Sequence, residues 1–295
     1  MKKNTAKEIS LEKYSKMDDY SMLVKTKLSL FVVFSSILAY IAVAQSNIDY
    51  TILILLGVGG FCITGAANTL NQILERDYDK LMTRTQNRPL ATGRMKLSEA
   101  SLFSGLLLMT GSILLALINP LTALLSMMSL VLYAFVYTPL KRYSTLAVAV
   151  GAIPGALPVL IGTSAFSGTI TLIGVTLFAI QFLWQFPHFW SIGWLSFEDY
   201  KKAGYKLLPV DELGAIDKKL GLHAFIYAVI LVPVSIYPFF IGELNFYIAL
   251  AVGIVGILYA IASLYFYIEQ NRKAALRLMF SSFIYLPVVL ILYLI

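Results

Sequence analysis

Two polar segments in an otherwise apolar chain carry the side chains that could do chemistry. The first reads Asn68-Thr-Leu-Asn71-Gln-Ile-Leu-Glu75-Arg-Asp77-Tyr-Asp79. At about 100° per helical residue, Asn68, Glu75 and Asp79 lie roughly 60°, 40° and 80° from Asn71, so four oxygen-bearing side chains share a face. Asp77, at roughly 240°, points elsewhere unless the helix unwinds. Two carboxylates stacked at a membrane boundary repel each other and lose hydration, so a countercharge is expected. Mg²⁺ is the natural one, because it takes hard oxygen ligands and binds through one or two carboxylates plus substrate phosphate oxygens.

Just downstream, Arg84, Arg88, Arg94 and Lys96 follow in a short stretch. A cation-bridged anion beside guanidinium groups reads as diphosphate recognition, since arginine offers paired donors to phosphate oxygens. By charge alone, the same segment could equally be a solvated, salt-bridged loop flanking a membrane span.

The second segment holds Gln181, Gln185 and His188, at roughly 0°, 40° and 340° on a helix, and runs on to Glu198-Asp199-Tyr-Lys201-Lys202. Asp199 would rejoin that stripe if the helix ran unbroken past Pro187. Polar groups inside a span face a bundle interior or a water-filled cavity. The glutamines could serve an acceptor pocket or simply bond between helices, and His188 could bind haem iron, act as a base, or pack. Glu198 and Asp199 offer a second carboxylate site, and Lys141 and Arg142, in a short loop, could close over the same anion; each of these groups could also be an ordinary interfacial charge.

The elements that position these residues follow from composition. Of 295 residues, 59% are hydrophobic and 13% charged, too few charges to cover a soluble globule of this length. Apolar runs near 28–45, 51–71, 99–118, 121–138, 145–164, 169–195, 222–242, 246–267 and 275–295 are each of about the length that crosses a bilayer. All 23 Lys and Arg fall in or beside 1–27, 72–98, 139–144, 196–221 and 268–274, which alternate between the spans. The positive-inside rule then puts the N-terminus in the cytoplasm and the C-terminus outside. It also accounts for the net charge of +7 without nucleic acid. The expected architecture is all-α: a cytoplasmic segment, 1–27, followed by one nine-helix membrane domain, 28–295. The N-terminal segment mixes Glu8, Glu12, Asp18 and Asp19 with its lysines, unlike a mitochondrial transit peptide, so a bacterial cytoplasmic (inner) membrane is expected. Cys62, the single cysteine, sits in an apolar run and reads as a small core residue.

Taken together, these segments resemble the UbiA-type intramembrane prenyltransferases over nearly the whole chain. The most specific pieces are Asn71-Gln-Ile-Leu-Glu75-Arg-Asp77-Tyr-Asp79-Lys-Leu-Met-Thr-Arg84-Thr-Gln-Asn-Arg88-Pro-Leu, Trp184-Gln-Phe-Pro-His188-Phe-Trp and Asp199-Tyr-Lys-Lys-Ala-Gly204. The chain departs from the superfamily pattern in carrying Glu75 at the middle position of the first motif. It also keeps only Asp199, with Glu198 adjacent, of the second pair of aspartates. That departure, with Pro187-His188-Phe189, looks like the haem-modifying branch.

The resemblance implies farnesyl diphosphate and haem B as substrates in the bilayer, with haem O and diphosphate as products. It implies Mg²⁺ on Asn71, Glu75, Asp79 and Asp199, with Arg84, Arg88, Lys141, Arg142 and Lys201 on the diphosphate. Gln181, Gln185 and His188 would then line the acceptor pocket, and Asn68, Asp77 and Glu198 are lesser candidates. Haem A synthase or a terminal-oxidase assembly is the candidate downstream partner. A related enzyme acting on aromatic quinone precursors, or a secondary transporter with midplane polar groups, would share parts of this pattern.

Overall fold

The computed structural model describes residues 14–295, so the N-terminal lysines and glutamates up to residue 13 lie outside the described residues. An amphipathic helix α1 (Lys16–Val24) precedes the spans and is opened by a Ser15–Asp18 capping box. Nine helices among the described residues are long and apolar enough to cross a membrane. They are α2 (Thr26–Ala44), α3 (Tyr50–Asp79), α5 (Leu97–Ala116), α6 (Pro120–Leu140), α7 (Ala147–Ser167), α8 (Leu172–Leu195), α10 (Lys219–Phe240), α11 (Phe246–Glu269) and α12 (Arg272–Leu292). Two short helices, α4 (Pro89–Thr92) and α9 (Phe197–Lys202), lie in the long connections.

Sequence signals set the ends. Asp49, Asn119, Thr171, Asn245 and Asn271 each accept a hydrogen bond from a backbone N–H of the first turn that follows, satisfying donors that bilayer or protein would otherwise strand. Most ends fall within a few residues of the apolar runs. The exception is α3, which continues eight residues past its apolar run, through Asp79, so its polar turns stay helical.

The middle of the assembly is α7, the most buried span. It packs on α2, α6 and α8, while α8 in turn touches α10 and α12. Gly162 of α7 permits this closeness: a Cβ there would run into the Ser36 backbone carbonyl of α2. One apolar core fills the α8, α10, α11 and α12 side, and a second fills the α2, α3, α5 and α6 side, with α7 feeding both. Outward faces are rich in exposed Leu, Ile and Phe, as a lipid-facing surface requires.

Candidate active site

The N-terminal end of α2 and the C-terminal ends of α3, α6 and α8 surround a polar cluster that opens into an apolar chamber. The cluster is built on α3. Asn68, Asn71, Glu75 and Asp79 are all buried along one face, while Asp77 is exposed and pairs with Lys80 at 2.7 Å and Arg76 at 3.4 Å. The helical spacing thus separates two aspartates only two residues apart into a buried and a solvated one.

Each buried carboxylate meets a cation. Glu75, 3% exposed, accepts from Lys141 Nζ at 2.8 Å and from Asn71 Nδ2 at 2.9 Å. Asp79, 1% exposed, accepts both of its short bonds from one nitrogen of Arg88, at 2.8 Å to each oxygen. A charge buried this deeply persists only when it is paired and hydrogen-bonded. Pro89, at the first position of α4, starts the short helix directly after Arg88, and Met82 and Leu90 pack beneath the loop.

A wide π-helical segment, Leu132–Tyr137, brings α6 into the cluster. Only Thr138 separates it from Pro139, which has no N–H to return to Phe135 and whose ring would crowd that carbonyl in a regular helix. Thr138 donates to Tyr133 O at 2.8 Å and accepts from Asn71 Nδ2 at 3.1 Å, linking α6 to α3. Tyr137 lies under Lys141 Nζ, 4.5 Å from its ring centre. Lys141 is therefore fixed by a carboxylate on one side and an aromatic face on the other.

Three contributors had no local signal of this role in the sequence. Lys25, in the left-handed conformation between α1 and α2, donates to Asn71 Oδ1 at 3.0 Å. Burial and the neighbouring charges of Arg88 and Lys141 hold its amine well below the usual lysine range. The α1 helix that sets it is anchored by Gln72, which donates to Met22 O and Leu23 O at 2.8 Å each, and by a buried Asp19–Arg94 pair at 2.8 Å. Tyr205, far along the chain, is buried near Glu75, and burial together with that carboxylate pushes its phenol up, so it stays protonated. Thr83 donates to Asp199 Oδ1 at 3.1 Å and joins the two long connections, after α3 and after α8.

The second polar segment is built differently. The stripe does not continue to Asp199: the helix breaks at Ser196 (φ −108°, ψ 13°), and Asp199 sits on α9, facing Thr83 and the Arg84 N–H across the cleft. Those hydrogen bonds outweigh partial burial and hold its carboxyl below the usual range. Glu198, Lys201 and Arg84 are exposed, and Arg142 lies 4.0 Å over the Tyr78 ring and donates to Leu74 O at 3.4 Å. Pro187 leaves α8 continuous.

Within α8, the amides bond to backbone carbonyls. Gln181 Nε2 donates to Gly155 O at 2.9 Å and Gln185 Nε2 to Ala152 O at 3.0 Å. Gly155 is required, since a Cβ there would collide with the Gln185 amide. His188 stacks on Trp184 and bonds Ser282 of α12 at 2.7 Å. Gln181, Gln185 and His188 line a chamber of about 320 Å³, which also reaches Asn68, Tyr133 and Tyr137 beside the charged cluster. Charged groups at one end and an apolar, amide-lined body at the other suit a long hydrophobic molecule with an anionic head.

Comparison with known proteins sets this geometry among its relatives. Residues 32–285 match the model of the UbiA prenyltransferase family. The chain belongs to the UbiA prenyltransferase family. Similar UbiA relatives include the protoheme IX farnesyltransferase of Cytophaga hutchinsonii, 45% identical over 93% of this chain and 96% of the relative. That of Flavobacterium psychrophilum is 39% identical over 94% and 93%. Among solved UbiA-fold structures, one described under the biosynthesis of digeranylgeranylglyceryl phosphate synthase in membranes superposes with a TM-score of 0.79 at 22% identity. It covers 95% of this chain and 97% of its own. A UbiA homolog from Archaeoglobus fulgidus bound to GPP and Mg²⁺ gives 0.63 at 18% identity, covering 94% and 100%. As a UbiA prenyltransferase the chain is an enzyme and a multi-pass membrane protein.

Proposed function

We propose that this enzyme transfers the farnesyl group of farnesyl diphosphate to a vinyl group of haem B, giving haem O. The observation that carries the reading is full-length similarity to protoheme IX farnesyltransferases in a chain whose buried charged cluster opens into an apolar chamber.

The chain's own residues fit a diphosphate departure. Arg88 and Lys141 sit on Asp79 and Glu75, poised to turn toward phosphate oxygens, and the half-buried Lys25 amine on Asn71 adds a further donor. Asn71, Glu75 and Asp79, one helical turn apart on α3, and Asp199 on α9 carry the hard oxygens that would hold Mg²⁺; among the described residues no three acidic side chains are gathered around one point, so the set would close only as Arg88 and Lys141 turn to the diphosphate. Held there, Mg²⁺ would supply Lewis-acid stabilisation of the negative charge that develops on the departing diphosphate. As the allylic C1–O bond breaks, diphosphate leaves with the electron pair. The terminal vinyl carbon forms the new bond to C1, and water adds to the adjacent carbon with loss of a proton. Gln181, Gln185 and the aromatic walls orient the acceptor, and the chamber keeps bulk water from the allylic cation. Arg84, Arg142 and Lys201, nearer solvent, attract the anionic head. The inner loops face the cytoplasm of a bacterial inner membrane, and haem O passes to haem A synthase or an oxidase assembly.

The test is mass analysis of haems extracted from membranes containing this chain, supplied with both substrates, with and without Mg²⁺. A haem heavier by one farnesyl and one hydroxyl group, its vinyl converted to hydroxyethylfarnesyl and the product lost on chelation, is the expected result. Haem B persisting unchanged beside prenylated aromatic acids would overturn the acceptor.

A further inference from the structure

His188 is the one histidine lining the chamber among the described residues, and no Met or Cys lines it. Its two ring nitrogens have different surroundings. Nδ1 lies 2.7 Å from Ser282 Oγ, and Ser282 donates its single proton to Met279 O at 2.5 Å. With that proton on Met279 O, the hydroxyl accepts from the ring in the tautomer that carries its proton on Nδ1, and in that tautomer the Nε2 lone pair is free. Nε2 has no hydrogen-bond partner among the described residues. Trp184 stacks on one ring face, with centroids 4.6 Å apart, and Phe283 meets the ring edge-on at 5.2 Å, so the plane of the imidazole is fixed. An oriented imidazole with one nitrogen hydrogen-bonded behind it and the other bare toward a cavity is how proteins present histidine to a metal.

We propose that Nε2 of His188 ligates the haem iron and anchors the acceptor in the chamber, with Ser282 as the positioning residue that holds the ring. The proposal rests on haem B being the acceptor. An axial bond fixes where the iron sits in the chamber, and the rigid macrocycle then carries the vinyl at a constant distance from it, while the farnesyl chain is held from its diphosphate end; this is how two apolar substrates would meet in one register. His188 acting as a base would need no bond to iron.

The experiment loads the full-length protein in lipid nanodiscs with haem B and records electronic absorption, EPR and the iron–histidine stretch. Wild type should show a histidine-ligated haem. His188→Ala should lose that signature and bind haem at least tenfold more weakly, with added imidazole restoring the spectrum, while farnesyl diphosphate binding persists. His188→Met, which keeps side-chain bulk, should convert the spectrum to a thioether-ligated form. Ser282→Ala should weaken haem binding roughly tenfold and shift the iron–histidine stretch, and Ser282→Thr should restore both. Unchanged spectra in the His188 variants, with haem bound and turnover lost, would overturn ligation in favour of a base. If wild type takes up no haem B, the acceptor assignment fails with it.

Discussion

The two polar regions differ in how they solve the cost of burial. On α3 the protein buries full charges and neutralises each one internally, Glu75 with Lys141 and Asp79 with Arg88. On α8 it buries neutral amides and an imidazole: the amide N–H groups donate to the carbonyls of Ala152 and Gly155 and the ring bonds the Ser282 hydroxyl, while Gln181 Oε1 is left without a partner among the described residues. A region of paired ions can exchange its partners for a highly charged ligand with little net change in charge, whereas a region of neutral dipoles can only orient. The contrast assigns the first to the diphosphate end and the second to the acceptor end.

The largest effect should come from breaking the charged region. Asp79→Asn removes a carboxylate and strands Arg88; turnover should fall by about 10²–10³-fold or more, with the protein still folded in the membrane. Retained Mg²⁺-dependent activity would sink the assignment of Asp79. Arg88→Ala should come next. It leaves Asp79 buried and unpaired, so thermal stability should drop by about 3–5 kcal/mol, and steady-state kinetics should show a rise in KM for farnesyl diphosphate well beyond that for haem. Equal changes for the two substrates would erase the contrast between the regions.

Disturbing the neutral region should cost less. Gln185→Leu removes two hydrogen bonds, and a loss of about 1–3 kcal/mol in stability is expected, with the kinetic change confined to the acceptor. Smaller again is Thr83→Val, which removes one of the two hydrogen bonds that the first loop gives Asp199; calorimetry should register about 0.5–1.5 kcal/mol. Asp77→Asn is the control. Its carboxylate is solvated, only two residues from Asp79, and neither turnover nor melting temperature should move.

Much of this was legible in advance. The nine spans follow from apolar run length, and the shared face of Asn68, Asn71, Glu75 and Asp79 follows from helical period, which needs no partner to hold. The register of Asp199 did not follow, because Ser196 ends α8 and a loop then redirects the chain across to Thr83.

What the sequence by itself determined is local: where helices start, which side chains share a face, and that the net charge belongs to the loops. Each depends on neighbours a few residues away or on transfer from water to lipid. Only the tertiary structure decided which cation faces which carboxylate, since Lys141 lies 66 residues from Glu75, and that Ser282 sits behind His188 across 94. It also decided that Lys25 and Tyr205 enter the cluster. Those pairings arise from helix packing set by small residues such as Gly162 and by the wide turn before Pro139, and no local spacing encodes them.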